Sequence, residues 1–261
     1  MSKATVVIPT LQRASALQTC LESLWSQTEQ DFQIIQVTEE GELAKLRNVG
    51  ARRAKGEILI FIDDDTICSP KWLESILSTF EKNPRIGGCS GPAVIRGEYL
   101  NNRDLFRFPW IKAVYDLIFL EGRGHLPGHF TRWGAWTTGA SKDSCSYDGP
   151  VEFLEACNMA FRADAFNSVG GFDEAYKGVG DWSEPDLSFR IRRAGYDLWF
   201  SRDASLEHQP SKSGAFKKRL SDSGNRLANY ELFSSRWIKP CWQHSLYKQF
   251  MRTYYEFKTV K

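Results

Sequence analysis

No apolar run in this 261-residue chain approaches the ~18 residues needed to cross a bilayer, which excludes a membrane-spanning helix. Nothing resembles a secretory leader: Met1-Ser2-Lys3-Ala4 runs straight into a short apolar strand, so a cytosolic location is expected. No C-x-x-C pair is present. Cys20, Cys68, Cys89, Cys145, Cys157 and Cys241 are scattered, which argues for reduced, mostly buried thiols and against a zinc cluster. An excess of one charge is also missing. Lys and Arg number 34 against 32 Asp and Glu, and a net charge of +2 argues against nucleic-acid binding over the whole surface. There is no internal repeat and no low-complexity tract. With 42% apolar and 25% charged residues the chain is neither disordered nor fibrous. Its length suits one large domain, or one domain with an appendage.

What is present begins as an alternation of strands and helices. Ala4–Ile8 reads as a buried strand stopped by Pro9. A helix follows, with Leu17, Leu21 and Leu24 on one face and Ser15 as its expected N-cap. Phe32–Val37 reads as a second strand, Leu43–Ala54 as a second helix closed by Gly56, and Ile58–Ile62 as a fully buried third strand. Pro70–Phe80 opens another helix. This order predicts a parallel sheet with helices on both faces, whose ligands bind beyond the carboxyl ends of the strands. Pro9-Thr10, Glu39-Glu40 and Asp63-Asp64-Asp65 all fall at such ends. Further on, Ile86–Val94 holds a strand interrupted by glycines, and Asn101–Leu120 is aromatic with helical character. Glu121–Pro150 is long enough to be a functional loop. Val151–Phe161 resumes a strand, Ala163–Val169 and Leu187–Ala194 read as helices, and Asp197–Phe200 reads as a strand before His208.

Three adjacent aspartates after a buried strand repel one another unless a cation compensates. Asp63 and Asp65 can converge on one hard cation, and carboxylate oxygens suit Mg²⁺ or Mn²⁺. Alone, Ile62-Asp63-Asp64-Asp65-Thr66 also fits a phosphatase of haloacid-dehalogenase type with Asp63 as nucleophile. That motif usually opens its domain, whereas two αβ units precede it here.

The downstream order of motifs is more specific: Cys157-Asn158-Met159-Ala160-Phe161-Arg162, Val169–Glu174, Trp182–Leu187, Arg190, Arg193–Tyr196 and Ala204–His208. Together with Val6–Thr10, Arg47-Asn48-Val49-Gly50 and Gly56–Asp65, it closely resembles the family 2 glycosyltransferases of the GT-A fold over roughly residues 4–211. The resemblance implies an α/β, Rossmann-like, mainly parallel central sheet flanked by helices. It implies a nucleotide-diphosphate sugar as donor and a hydroxyl acceptor on a glycan, polysaccharide or lipid-linked precursor. Pro9, Thr10 and Arg13 would line the nucleotide. Asp65 would be the main ligand of a Mn²⁺ or Mg²⁺ ion, with Asp63 or Asp64 nearer the ribose and sugar. His208 would contact the metal or the diphosphate, or would simply close a strand. Glu155, Cys157 and Asn158 would lie beside the donor sugar. Glu39 would read an imide N–H of the base, and Arg47 would face the diphosphate or pair with a nearby acid. The general base would be Glu184, with Asp186 second and Asp181 third, and transfer would invert the anomeric carbon. Trp182, Trp133 and Trp136 are candidates for stacking on an acceptor sugar or for packing.

Residues 212–261 fall largely outside the resemblance and read as a basic, aromatic, helical extension. From Gln209 to Lys261 there are 11 Lys or Arg, 3 Asp or Glu and ten aromatics, a net of +8 that leaves −6 for residues 1–208. Such a face suits an anionic membrane surface or a lipid-diphosphate acceptor. The other reading is a helical appendage that packs its aromatics on the core. Two domains are thus expected: 1–211, nucleotide-sugar binding and catalysis, and 212–261, the extension. The expected location is cytoplasmic, with the extension suited to the inner face of a membrane. A non-catalytic sugar-nucleotide-binding or scaffold protein is the non-enzymatic alternative, and no recognition motif supports nucleic acid as a partner.

Overall fold

A computed structural model describes residues 2–10, 14–95, 108–137, 139, 145–209 and 222–259. Arg13 and the Lys217-Lys218-Arg219 cluster lie outside the described residues.

The first half follows the periodicity of the sequence. Strands β1 (Ala4–Pro9), β2 (Phe32–Val37) and β3 (Ile58–Ile62) alternate with helices α1 (Ala14–Trp25) and α2 (Leu43–Arg53). β1 pairs in parallel with β2 on one side and β3 on the other. α1 begins at Ala14, so Ser15 lies inside the helix rather than capping it. The short β4 (Thr66–Cys68) precedes α3 (Trp72–Lys82), and Gly91-Pro92 separates β5 (Ile86–Ser90) from β6 (Ala93–Val94). Then follow α4 (Pro109–Ile118), β7 (Gly149–Pro150), β8 (Asn158–Arg162), α5 (Ala163–Ser168), α6 (Ser183–Arg193), β9 (Asp197–Phe200), β10 (Leu206–His208), α7 (Ser223–Trp237) and α8 (Trp242–Thr259).

The main sheet has the order β2-β1-β3-β8-β5-β9-β7. It is mixed: β8 runs antiparallel to both β3 and β5, while β5 and β9 are parallel. Successive residues of the central strands serve opposite faces. Val6, Ile8, Ile60 and Ile62 pack with Leu21 and Leu24 of α1 and Trp72 of α3. Val7, Leu59, Phe61 and Phe161 pack with Leu46 of α2 and Leu187 and Ile191 of α6. Gly50 permits the seating of α2, because a Cβ there would meet Val7 Cγ1 at 2.2 Å.

A third cluster joins the C-terminal helices to the body. Tyr230, Phe233, Tyr247, Met251 and Tyr255 of α7 and α8 pack with Leu120, Trp133, Ala135, Tyr176 and Trp182. The aromatics of the extension are therefore largely packing residues. No helix among the described residues is long and apolar enough to cross a membrane.

Candidate active site

The acidic turn is built by two sheets that diverge at its ends. β3 ends at Ile62, and β4 leaves for a small second sheet of order β4-β10-β6. Antiparallel pairing of β10 with β4 places His208 opposite Thr66. His208 Nε2 accordingly lies 3.2 Å from Asp65 Oδ1, and the Gln209 amide donates to the Asp65 carbonyl at 2.8 Å. Thr66 Oγ1 donates back to the Asp63 carbonyl at 2.8 Å. Thr10, beyond β1, donates its hydroxyl to Asp64 Oδ2 at 2.6 Å, and both side chains are buried. Thr10 also donates its amide to the Val37 carbonyl at 2.9 Å, which holds the ends of β1 and β2 together.

β8 brings a further residue to the turn. Its register sets Asn158 against Ile62, so the preceding Cys157 lies beside Asp63. Cys157 Sγ is 3.7 Å from His208 Nδ1. Its backbone has φ 68°, a left-handed conformation that costs a non-glycine residue on the order of 1–2 kcal/mol. Burial would lower the His208 pKa, but Cys157 and the Asp65 carboxylate outweigh it and raise it well above the ordinary imidazole value.

Opposite the turn stands Glu184, in the first turn of α6, where the helix dipole favours a carboxylate. Arg47 of α2, 1% exposed, donates from Nη1 to Glu184 Oε1 at 2.6 Å. Its Nη2 is 3.8 Å from Asp63 Oδ1, and its guanidinium lies over the Phe172 ring. Burial pushes the Glu184 pKa above the ordinary carboxylate value, with Arg47 opposing the shift. Arg47 thus pairs with acids on both sides, the second of its two expected roles.

The other expected residues divide into those that face partners of their own and those that do not. Asp186 is fully buried and receives Arg190 Nε at 2.8 Å, Trp237 Nε1 at 2.8 Å and Arg236 Nη1 at 3.3 Å, which ties α6 to α7. Asp181 receives Arg226 Nε at 2.5 Å. Asn158 accepts from Trp72 Nε1 at 2.9 Å and donates to the carbonyls of Ala204 at 2.8 Å and Pro92 at 3.3 Å. These contacts make Asn158 a brace between layers. Trp182 is 2% exposed and stacked under Trp136 at 4.1 Å, so it packs, and an acceptor sugar has no access to its face on that side. Trp133 is likewise buried, against Phe119 and Trp242. Trp136 is half-buried. Glu39 lies exposed beyond β2 and pairs with Arg53. Pro9 closes β1 beside Thr10.

Glu155 and Cys157 gain weight that sequence alone did not give them. Glu155 Oε1 is buried with no hydrogen-bond partner among the described residues, and burial raises its pKa to about 7. The six cysteines are free; Cys20 and Cys89 are buried and their pKa values are pushed up to about 11 and 12.

The turn has the donor set a divalent cation needs. Ligand atoms of Asp63, Cys157 and His208 all lie within 4.8 Å of one another, roughly the span across one ion whose ligands stand ~2.0–2.4 Å from it. Asp65 adds a carboxylate beside the same imidazole. Carboxylates, an imidazole and one guanidinium shared between Asp63 and Glu184 can together bind a cation with a diphosphate and hold a base opposite.

Comparisons with known proteins bear on the family and the fold. An uncharacterized glycosyltransferase of Haemophilus influenzae is 32% identical over 113 residues, covering 34% of this chain and 38% of that protein. A probable N-acetylgalactosaminyltransferase 6 of Caenorhabditis elegans is 26% identical over 229 residues, covering 84% of this chain and 34% of that protein. The chain thus spans little more than a third of the length of these relatives. Among solved structures, GalNAc-T7 with UDP, GalNAc and Mn²⁺ superposes with a TM-score of 0.64 at 14% identity, covering all of this chain and 52% of that one. That likeness shows the GT-A fold. The model of the family described as glycosyl transferase family 2 matches residues 36–170, from β2 through the acidic turn to the end of α5, and the chain belongs to that family.

Proposed function

We propose that this chain transfers a sugar from a nucleotide-diphosphate donor to a hydroxyl acceptor, with inversion and with a divalent cation. The observation that carries the reading is the Arg47 fork, which reaches the acidic turn through Asp63 and the carboxylate of Glu184 from a single guanidinium. The acidic turn and the candidate base therefore stand on either side of one guanidinium. Family membership favours transfer over the phosphatase reading of the same aspartates.

In this account Pro9 and Thr10 line the nucleotide with Arg13, and Glu39 reads the base. Asp63 and His208, with Asp65 against the imidazole, would hold Mn²⁺ or Mg²⁺, and GalNAc-T7 is known with Mn²⁺ and UDP together. When bound there, the cation offsets diphosphate charge and makes the nucleoside diphosphate a better leaving group. Asp64, fixed by Thr10, keeps the turn in shape. Glu184 takes the proton of the acceptor hydroxyl as that oxygen attacks, and Arg47 holds Glu184 ionised and aimed until then. Glu155, in the segment just before β8, would lie beside the donor sugar.

Residues 1–211 would form the donor and catalytic unit, and 212–261 the acceptor side. The acceptor would be presented at an anionic membrane on the cytoplasmic face. Six large exposed apolar side chains, two on α8 and four on α4 of the first unit, support the membrane surface: Trp242 and Leu246, and Trp110, Val114, Leu117 and Ile118 along one face of α4. Leu117 is 72% and Trp242 68% exposed, and Lys112 and Lys239 stand exposed near them in sequence. Co-sedimentation with vesicles containing phosphatidylglycerol should fall when Trp110 and Leu117 become Ser; equal binding by the variant removes the membrane from the account.

The donor site is tested by melting the protein with a panel of nucleotide diphosphates and nucleotide sugars, each with Mn²⁺ or Mg²⁺. A stabilising hit should need the metal and disappear in Asp65→Ala. If no nucleotide diphosphate raises Tm with either metal, the reading has lost its donor.

A further inference from the structure

We propose that Cys157 supplies a sulfur ligand to the cation at the acidic turn, so that Asp63, Cys157 and His208 form a mixed oxygen, sulfur and nitrogen site. The inference rests on the reading that a divalent cation binds at this turn.

Three observations carry it. Ligand atoms of these three residues all lie within 4.8 Å of one another, and they come from three separate segments: the end of β3, the entry to β8 and the end of β10. Second, the two nitrogens of His208 face different partners. Nε2 is 3.2 Å from Asp65 Oδ1, while Nδ1 is 3.7 Å from Cys157 Sγ. A cation between Nδ1 and Sγ would leave Asp65 to hold the imidazole through Nε2, the carboxylate–histidine–metal arrangement that orients many ligating histidines. Third, Cys157 is held with φ 68° by the ladder that starts at the next residue, where Asn158 pairs with Ile62. That register keeps Sγ beside the turn.

A thiolate changes what the site prefers. Sulfur favours Zn²⁺ and Co²⁺ over Mg²⁺, which is satisfied by oxygen alone. The thiol gives up its proton to solvent as the sulfur–metal bond forms.

Co²⁺ makes the sulfur visible. The full-length chain, reduced and metal-free, is titrated with Co²⁺ in the presence of UDP or GDP while absorption is recorded. The expected result is a set of visible ligand-field bands together with a near-ultraviolet thiolate-to-metal charge-transfer band. Cys157→Ser should abolish the charge-transfer band and keep the ligand-field bands, and Cys20→Ser should keep both. Cys157→Gly, which suits the backbone, guards against a folding defect; it should weaken Zn²⁺ binding about tenfold or more and leave Mg²⁺ binding within about threefold. Ligand-field bands without charge transfer in the unaltered chain, or charge transfer that survives Cys157→Ser, overturn the sulfur ligand and leave the cation in place. No Co²⁺ spectrum at all with either nucleotide overturns the cation reading itself, and this proposal with it.

Discussion

Arg47 Nη1 stands 2.6 Å from Glu184 Oε1, although the two residues are 137 positions apart in sequence. Burial disfavours the charge on Glu184, and the guanidinium restores part of what burial removes. The outcome is a carboxylate whose pKa is raised but which keeps a cationic partner, a suitable state for a general base. The same guanidinium also faces Asp63, so charge arriving at the acidic turn is felt at the base.

Replacing the base should remove the chemistry and leave the donor. Glu184→Gln is expected to lower kcat by about 100- to 10,000-fold while nucleotide-dependent stabilisation persists. The raised pKa also sets a direction with pH. Glu184 works only when deprotonated, so kcat/KM should fall as pH drops through a value above the ordinary carboxylate range. A rate within threefold of the unaltered protein would remove Glu184 from this role.

The pair itself can be weighed in a double-mutant cycle. Arg47→Met leaves a buried carboxylate without its cation and should destabilise by about 3–5 kcal/mol. Combined with Glu184→Gln it should cost clearly less than the two separate effects together, since no charge is then stranded. Urea denaturation of the four proteins measures the coupling, and additive effects would show that the pair is not linked.

Asn158 tests the distinction between a brace and a ligand contact. Asn158→Ala removes one accepted and two donated hydrogen bonds in a buried place and should destabilise by roughly 2–3 kcal/mol. The increase in Tm on adding nucleotide and metal, measured against its own unliganded baseline, should be unchanged. Normal stability with lost nucleotide binding would make Asn158 a donor contact.

Glu155 should leave a signature in stability rather than in binding alone. Its pKa rises from 4.5 in the unfolded chain to about 7 when folded, so the folded state holds the proton more tightly. Its contribution to stability is therefore full below about 4.5 and is lost as pH rises through 7. Glu155→Gln should flatten that decline and be more stable above pH 7 by on the order of 2–3 kcal/mol. Parallel pH profiles of Tm for the two proteins would contradict a carboxyl whose pKa is raised by burial.

Much of the frame was legible before the fold was known. Ile58–Ile62 is uniformly apolar because both faces of β3 are covered, and the aspartates that follow mark the carboxyl end of the strand. The resemblance singled out Glu184, and the structure places it in the first turn of α6, which begins four residues earlier than the sequence pattern suggested. Other features depend on contacts that no local pattern carries. Nothing near Arg47 announces Glu184, and nothing near Cys157 announces His208; antiparallel β8 and the small β4-β10-β6 sheet bring those pairs together. An aromatic beside a cleft reads alike whether it stacks on a sugar or on another ring, so the burial of Trp182 under Trp136 was visible only in the fold. The basic and aromatic tail joined both readings in one composition: its buried rings pack on the body, while Trp242 and Leu246 remain outside.

The most direct measurement is proton NMR of the sugar first released from, or transferred out of, the nucleotide sugar that the melting panel selects. Slow transfer to water needs no knowledge of the acceptor. A single displacement with Glu184 as base predicts a first-formed anomer opposite in configuration to the donor, metal-dependent and absent in Glu184→Gln. A first-formed anomer of the same configuration as the donor would contradict the account.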